Sequence, residues 1–138
     1  MVIAVDFDGT LCEHRFPRIG EIQDVHKKVI EYIRNQHKNG NTIVLWTCRE
    51  DVPQGKYLSE AIEWCKEKEI PIDYVNEYPM PSLNGFAARK VCADMYIDDK
   101  AVNIDAFKNT NMDEARNGRT KVNGHGKASH KKMEKFRL

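Results

Sequence analysis

Two aspartates, Asp6 and Asp8, close the apolar opening of "VIAVDFDGTLCEH", and a second pair, Asp98 and Asp99, closes the later run "YIDD". Carboxylates gathered in a small space repel one another and raise at least one pKa unless a cation neutralises them. Mg2+ is a hard ion that takes a few carboxylates together with water and phosphate oxygens, so it is the cofactor that Asp6, Asp8, Asp98 and Asp99 predict. The metal in turn predicts a phosphate. Thr47, at the end of "TIVLWT", offers a hydroxyl hydrogen bond to a phosphoryl oxygen, and Lys90, or its neighbour Arg89, offers charge to a transferring phosphoryl group. Phosphoryl transfer asks a protein chiefly for positioning and charge stabilisation, and this set supplies both.

Taken singly, these fragments say little, because acids often end strands as turn residues. Their order along the chain says more, since the aspartate pairs and Thr47 each end an apolar run that must be a structural element, with Lys90 between them. Val2 to Asp6 and Thr42 to Trp46 are continuous apolar runs of strands buried on both faces. Ile22, Val25, Val29, Ile30 and Ile33 recur at helical spacing up to Lys38, and Gly40 marks the stop. Leu58, Ala61, Ile62 and Cys65 define a second helix over Lys56 to Glu69, which Pro71 ends. Ile72 to Val75 and Met95 to Ile97 are short strands, Phe86 to Val91 a helical turn and Ala101 to Phe107 a final helix. Strands alternating with helices imply a doubly wound parallel α/β sheet with helices on both faces. Ligands bind such sheets outside the carboxyl ends of the strands, where Asp6, Thr47, Asp98 and Asp99 all fall.

The chain has 138 residues, 41% hydrophobic and 31% charged, a size and balance that fit one soluble domain. No apolar run approaches the roughly 20 residues of a membrane span, and the start of the chain is not patterned as a cleaved leader, so a cytoplasmic protein is expected. Cys12, Cys48, Cys65 and Cys92 form no CxxC pair and read as reduced packing thiols. Charge divides the chain: residues 1–107 hold 13 Lys and Arg against 18 Asp and Glu, whereas 108–138 hold 9 against 3. The second segment is polar, with Asn-Gly turns at Asn117 and Asn123, and reads as a solvated basic extension. Its charge also suits nucleic acid or another acidic surface.

The motifs "DFDGT", "LWT", Lys90 and "YIDD" resemble the four motifs of the haloacid dehalogenase superfamily of phosphohydrolases, over residues 1 to about 107. The resemblance implies a Rossmann-like fold of that type and a Mg2+-dependent phosphomonoester hydrolase acting on a small-molecule ester. It implies that Asp6 is the nucleophile that becomes an aspartyl phosphate and that Asp8 is first general acid, then general base. An acid two residues after the nucleophile is similar to the phosphatase branch rather than the dehalogenases. Asp98, Asp6 and the main-chain carbonyl of Asp8 would hold Mg2+, and Asp99 would reach it through water or orient Lys90. Gly9 would permit the turn after the strand, and N–H groups near Phe7 and Asp8 would hold phosphoryl oxygens.

Neither Leu11 to Glu21 nor Asn76 to Arg89 is long enough for the cap domain that many members carry. An uncapped site suits a large substrate or closure by a second copy of the chain. The segment "EHRFPRIGEI" then serves as a short flap, with Arg18 and Arg15, and past Thr47 also Arg49, as candidate substrate-binding residues; His14 reads as a surface residue of the flap. Two rivals belong to other classes. A signalling receiver domain has its acid pair after the first strand and its acceptor later, the reverse of the order here. A non-catalytic phosphate-binding or nucleic-acid module would not need the full catalytic set, although a nucleotide or polynucleotide end phosphatase would use both the set and the basic tail.

Overall fold

The computed structural model describes residues 1–107. The opening apolar run forms strand β1 (Val2–Val5), with Ile3, Ala4 and Val5 buried. A strand that is apolar on both faces is stable only inside a covered sheet, and β1 lies there. Helix α1 (Asp24–Lys38) follows, then β2 (Thr42–Leu45), a small hairpin of β3 (Asp51–Val52) and β4 (Gly55–Lys56), helix α2 (Tyr57–Glu67), β5 (Tyr74–Val75) and β6 (Met95–Ile97). β5, β2, β1 and β6 lie side by side in that order, every pairing parallel. In register, Val5 stands between Leu45 and Ile97. The chain builds outward from β1 through β2 to β5, then returns to set β6 on the other side of β1. The strand order therefore reverses between β1 and β6, and the ligand crevice of such a sheet belongs at their carboxyl ends.

Both helices pack on one face. Ile3, Val5, Ile43 and Leu45 share a core with Ile30 and Ile33 of α1 and Ala61 and Cys65 of α2. Ala4 and Val44, which point the other way along their strands, pack instead against Val91 and the half-buried Trp46, Tyr78 and Ala93. The expectation of helices on both faces is thus corrected: among the described residues the second face is covered by the irregular connection from β5 to β6. Pro79, Pro81 and Gly85 explain why, since prolines and a left-handed glycine interrupt a helix. The connection forms an antiparallel bridge between Pro79 and Ala87 and a 3-10 turn at Pro81–Leu83, and no helical turn forms over Phe86 to Val91.

The helices are pinned at their ends. The buried face of α1 is His26, Ile30 and Ile33, while Val25, expected on that face, is 62% exposed. His26 is buried because its Nδ1 accepts the Gln23 N–H at 2.9 Å, fixing the entry to the helix. At the far end Gly40, at φ +86°, donates its N–H to the His37 carbonyl at 3.0 Å and turns the chain into β2. The start of α2 is capped from outside: the Asp51 carboxylate accepts the N–H groups of Leu58 at 3.1 Å and Ser59 at 2.9 Å, as well as the Ser59 hydroxyl. Those amides have no partner within the helix, and the helix dipole favours an anion there.

Met1–Asp99 forms one compact unit, and a second begins at Lys100. In the described part of the second, Ile104–Phe107 is a 3-10 turn rather than the helix expected over Ala101 to Phe107, and Asn103 Oδ1 accepts the Asp105 N–H at 2.9 Å. The basic extension at 108–138 lies outside the described residues. Among those described, no helix is long and apolar enough to cross a membrane.

Candidate active site

The carboxyl ends of β1 and β6 bring three acids together. Carboxylate oxygens of Asp6, Asp98 and Asp99, one from each, lie within 4.8 Å of one another. β1 delivers Asp6, whose own N–H donates to the Ile97 carbonyl at 2.9 Å, so the last bond of the sheet ladder sets the spacing of the two acidic strand ends. Burial pushes the Asp6 carboxyl up to about 6, assisted by the charges of Asp98, Asp99 and Asp8 and opposed by a hydrogen bond from the Phe7 N–H. A buried carboxylate with two further acids beside it gains from a positive charge, and three hard oxygen donors suit Mg2+.

Gly9 closes the turn below the cluster at φ +87°. A Cβ there would meet Asp99 Oδ2 and lie 2.7 Å from Asp99 Cγ, so glycine is required both by the backbone and by the acid packed on it. The Thr10 hydroxyl lies 3.5 Å from Asp6 Oδ2. Phe7 separates the two acids of the motif and points the opposite way, fully buried, with its ring edge-on to Trp64 at 5.3 Å. Its N–H, expected to hold a phosphoryl oxygen, is directed here to Asp6 itself.

Asp8 does not join the cluster with its side chain. Both of its oxygens accept from Arg49, Oδ2 from Nε and Oδ1 from Nη2, each at 2.8 Å. Any share of Asp8 in a metal site is thereby left to its main-chain carbonyl, the ligand implied by the resemblance. Arg49 itself is 1% exposed. Its remaining donors go to main-chain carbonyls: Nη1 to Pro17 at 3.1 Å and Tyr57 at 3.4 Å, and Nη2 to Arg18 at 2.9 Å. The expectation that Arg49 contacts substrate phosphate is corrected, because its five N–H groups are all engaged within the protein.

Thr47 lies at the end of β2, as expected. Its N–H donates to Asn76 Oδ1 at 2.8 Å and its Oγ1 accepts the Arg49 N–H at 3.1 Å, an arrangement in which the hydroxyl keeps its own proton to donate. Asn76, at φ +54° just after β5, was not among the residues picked from the sequence. The available signal was that it too is a polar residue ending a strand. Lys90 is exposed, and its described contact is the Tyr96 ring, 5.2 Å from ammonium to centroid, rather than a carboxylate. Tyr96 is in turn tied to the connection by its hydroxyl, which donates to the Val91 carbonyl at 2.6 Å. Arg89 is likewise exposed. The structure therefore gathers Asp6, Asp98 and Asp99, sets Asp8 beside them on Arg49, and leaves Lys90 on the second face of the sheet.

The flap is ordered by its own bonds. The Glu13 N–H donates to the Glu21 carbonyl at 2.8 Å, and Glu13 Oε1 accepts Gln23 Nε2 at 3.0 Å. Arg15 and Arg18 are exposed and line one hollow with Ile19, Gly20 and Glu21. His14 is exposed, as expected of a flap surface residue. Cys12 and Cys65 are buried, which pushes the Cys65 thiol up to about 12 and the Cys12 thiol up as well, whereas Cys48 and Cys92 are exposed.

Neither a protein-family model nor a curated protein sequence matches the chain. A solved structure does: a conserved protein from Bacteroides thetaiotaomicron, 42% identical, with a TM-score of 0.61, over 74% of this chain and 78% of that one. The chain belongs to the family of that conserved protein. Identity at this level extends the likeness beyond the fold to the sequence itself, so the parallel α/β scaffold described above is the scaffold of the family.

Proposed function

We propose that this protein is a Mg2+-dependent phosphomonoester hydrolase of the haloacid dehalogenase type, with a doubly wound, capless fold of that superfamily and a cytoplasmic setting. The observation that carries the reading is the cluster of Asp6, Asp98 and Asp99 at the β1/β6 switch point, where burial, with the neighbouring acids, raises the Asp6 carboxyl to about 6. An acid at a turn has no need of two others with oxygens within 4.8 Å; a metal site does.

Asp6, Asp98 and the main-chain carbonyl of Asp8 would hold Mg2+, with Asp99 behind them. The bound ion supplies positive charge to the carboxylates and to the phosphoryl oxygens. In the first step an Asp6 oxygen attacks phosphorus while the bond from phosphorus to the ester oxygen breaks, and that oxygen takes the proton carried by the Asp8 carboxyl. Alcohol leaves and Asp6 holds the phosphoryl group. In the second step the Asp8 carboxylate takes a proton from water as the water oxygen attacks phosphorus, the bond to Asp6 breaks, and inorganic phosphate departs with both acids restored. The Thr47 hydroxyl donates to a phosphoryl oxygen in both steps. Lys90 does so only after its ammonium leaves the Tyr96 ring.

The test is phosphate release from a panel of phosphomonoesters, comparing Mg2+ with EDTA and the wild type with Asp6→Asn. Turnover that requires the metal and is lost in the variant supports the reading; no turnover on any ester, with Mg2+ still bound, refutes it. The net positive charge of residues 108–138 is the reason to include nucleotides and a 3′-phosphorylated oligonucleotide in the panel.

A further inference from the structure

Asp8 and the flap are far apart in function, one proposed to move a proton and the other to meet the substrate, yet a single buried side chain holds both. The Arg49 guanidinium binds the two Asp8 oxygens at 2.8 Å and the main-chain carbonyls of Pro17 and Arg18 at 3.1 and 2.9 Å. Its flat faces are covered by Phe7 on the sheet side and Phe16 on the flap side, with ring centroids 5.0 and 5.1 Å away. A fifth bond, to the Tyr57 carbonyl at 3.4 Å, anchors it to the start of α2. Nη2 is the shared atom: one of its protons goes to Asp8 and the other to the flap.

We infer that Arg49 is a positioning residue that couples the docking of the flap to the orientation of Asp8. The inference rests on the proposed acid/base role of Asp8. A planar guanidinium fixed on its other edge by main-chain carbonyls presents its remaining N–H groups in one direction only, so Asp8 is held in one plane and at one distance. When the flap carbonyls leave, Nη1 and Nη2 lose the bonds that fix their rotation, and the plane of Asp8 is no longer defined. When the flap is seated, Asp8 stands ready. An ester whose further anionic group draws on the exposed Arg15 and Arg18 would therefore influence the proton donor through the backbone of the same segment. Lysine cannot replace this function, because a single ammonium has neither the fork for both Asp8 oxygens nor the reach to two carbonyls at once.

A purely structural arginine and a coupling arginine differ in two readouts. The first is leaving-group dependence. An alkyl phosphate needs a proton at its departing oxygen, whereas p-nitrophenyl phosphate, which releases a stable anion, needs it far less. Arg49→Lys should lower kcat/KM, which reports only the steps through departure of the alcohol, about 10- to 100-fold on the alkyl ester while changing it only a few-fold on the p-nitrophenyl ester, the same signature as Asp8→Asn. The second is amide hydrogen exchange in the full chain. Exchange over residues 13–22 should rise at least about tenfold in Arg49→Lys and, because the pair is then weakened from its other end, rise measurably in Asp8→Asn as well. Asp8→Asn also keeps the test decisive if Arg49→Lys does not fold.

Equal losses in kcat/KM on both esters, or flap exchange that stays at the wild-type level in Asp8→Asn, would overturn the coupling. If the wild type turns over no ester, the phosphatase reading fails separately, and the exchange measurement alone decides whether Arg49 joins the flap to Asp8.

Discussion

The two ends of the same sheet use aspartate in opposite ways. At the amino end, Asp73 and Asp94 each close a two-bond clasp on a neighbouring strand. Asp73 Oδ2 accepts the Ile43 N–H and the Asp73 N–H donates to the Ile43 carbonyl, both at 2.8 Å. Asp94 treats Val2 in the same way, at 2.7 and 2.8 Å. These carboxylates replace the missing ladder partner at the start of a strand, and their negative charge is met by main-chain donors. At the carboxyl end, Asp6, Asp98 and Asp99 face one another. The same residue type is structural where the backbone supplies its partners and becomes a candidate ligand site where other acids crowd it. The difference lies in what surrounds the acid rather than in the acid itself.

The largest effect expected from breaking this contrast is chemical. Asp6→Asn should reduce phosphate release by about four orders of magnitude or more, in line with the loss of a nucleophile. Asp94→Asn keeps an amide oxygen for the Val2 N–H and should leave kcat within about twofold. Both comparisons need only a steady-state assay with Mg2+ present, and a comparable loss in the two variants would refute the division between the ends.

Next comes the cost that the cluster imposes on the metal-free fold. The Asp6 carboxyl sits at about 6 against an ordinary 3.8, so between roughly pH 4 and 6 the native state binds more protons than the unfolded chain. The stability that the raised pKa confers is fully present below pH 4 and is lost as pH rises through 6. Integrated over the shift, this amounts to at most about 3 kcal/mol, less for a carboxyl that keeps some contact with water. Urea unfolding in EDTA should therefore show lower stability at pH 7.5 than the Asp6→Asn variant does, with the gap about halved at pH 5 and closed below pH 4. Saturating Mg2+ should close it as well, because a ligand that binds only the native state restores what the repulsion removes.

At the amino end the effect is smaller and independent of metal. Asp73→Ala leaves the Ile43 N–H without its acceptor and removes the 3.1 Å contact with His37, which should cost about 1–2 kcal/mol in urea unfolding. Asp73→Asn should recover much of this, since its Oδ1 accepts the same N–H. Neither change should alter the Mg2+ affinity measured by calorimetry.

How far the sequence carried the reading follows from the same physics. Continuous apolar runs that end in acid admit few alternatives, and β1, β2 and β6 formed where they were expected, with Asp6, Asp98 and Asp99 brought to one edge. Periodicity is ambiguous where proline and glycine intervene, and the connection over 76–93 became an irregular cover for the second face instead of a helical turn. Val25 and His26 were exchanged because hydrophobicity ranks valine above histidine, while the Gln23 N–H made the buried histidine the better cap. Arg49 was misjudged for a different reason. Its partners Asp8, Pro17, Arg18 and Tyr57 lie 8 to 41 positions away, and nothing in "TCRED" announces that the guanidinium faces inward. A charged residue next to a site reads as a ligand for substrate until its donors can be counted.

The smallest expected effect separates the two ways in which the flap can matter. The side chain of Arg18 is exposed, whereas its main-chain carbonyl is held by Arg49 at 2.9 Å. Arg18→Ala removes the first and keeps the second, so Asp8 should remain in place and kcat on p-nitrophenyl phosphate should not change. On an ester with a second anionic group, KM should rise about 3- to 5-fold, the scale of one solvent-exposed ion pair. Arg15→Ala should do less, because Glu13, 3.3 Å from Arg15 Nε, already competes for its charge. An unchanged KM on every ester in both variants would remove the flap arginines from substrate binding and leave the flap only its backbone role through Arg49. A fall in kcat on p-nitrophenyl phosphate would instead mean that the side chain itself helps to seat the carbonyl, making the two roles one.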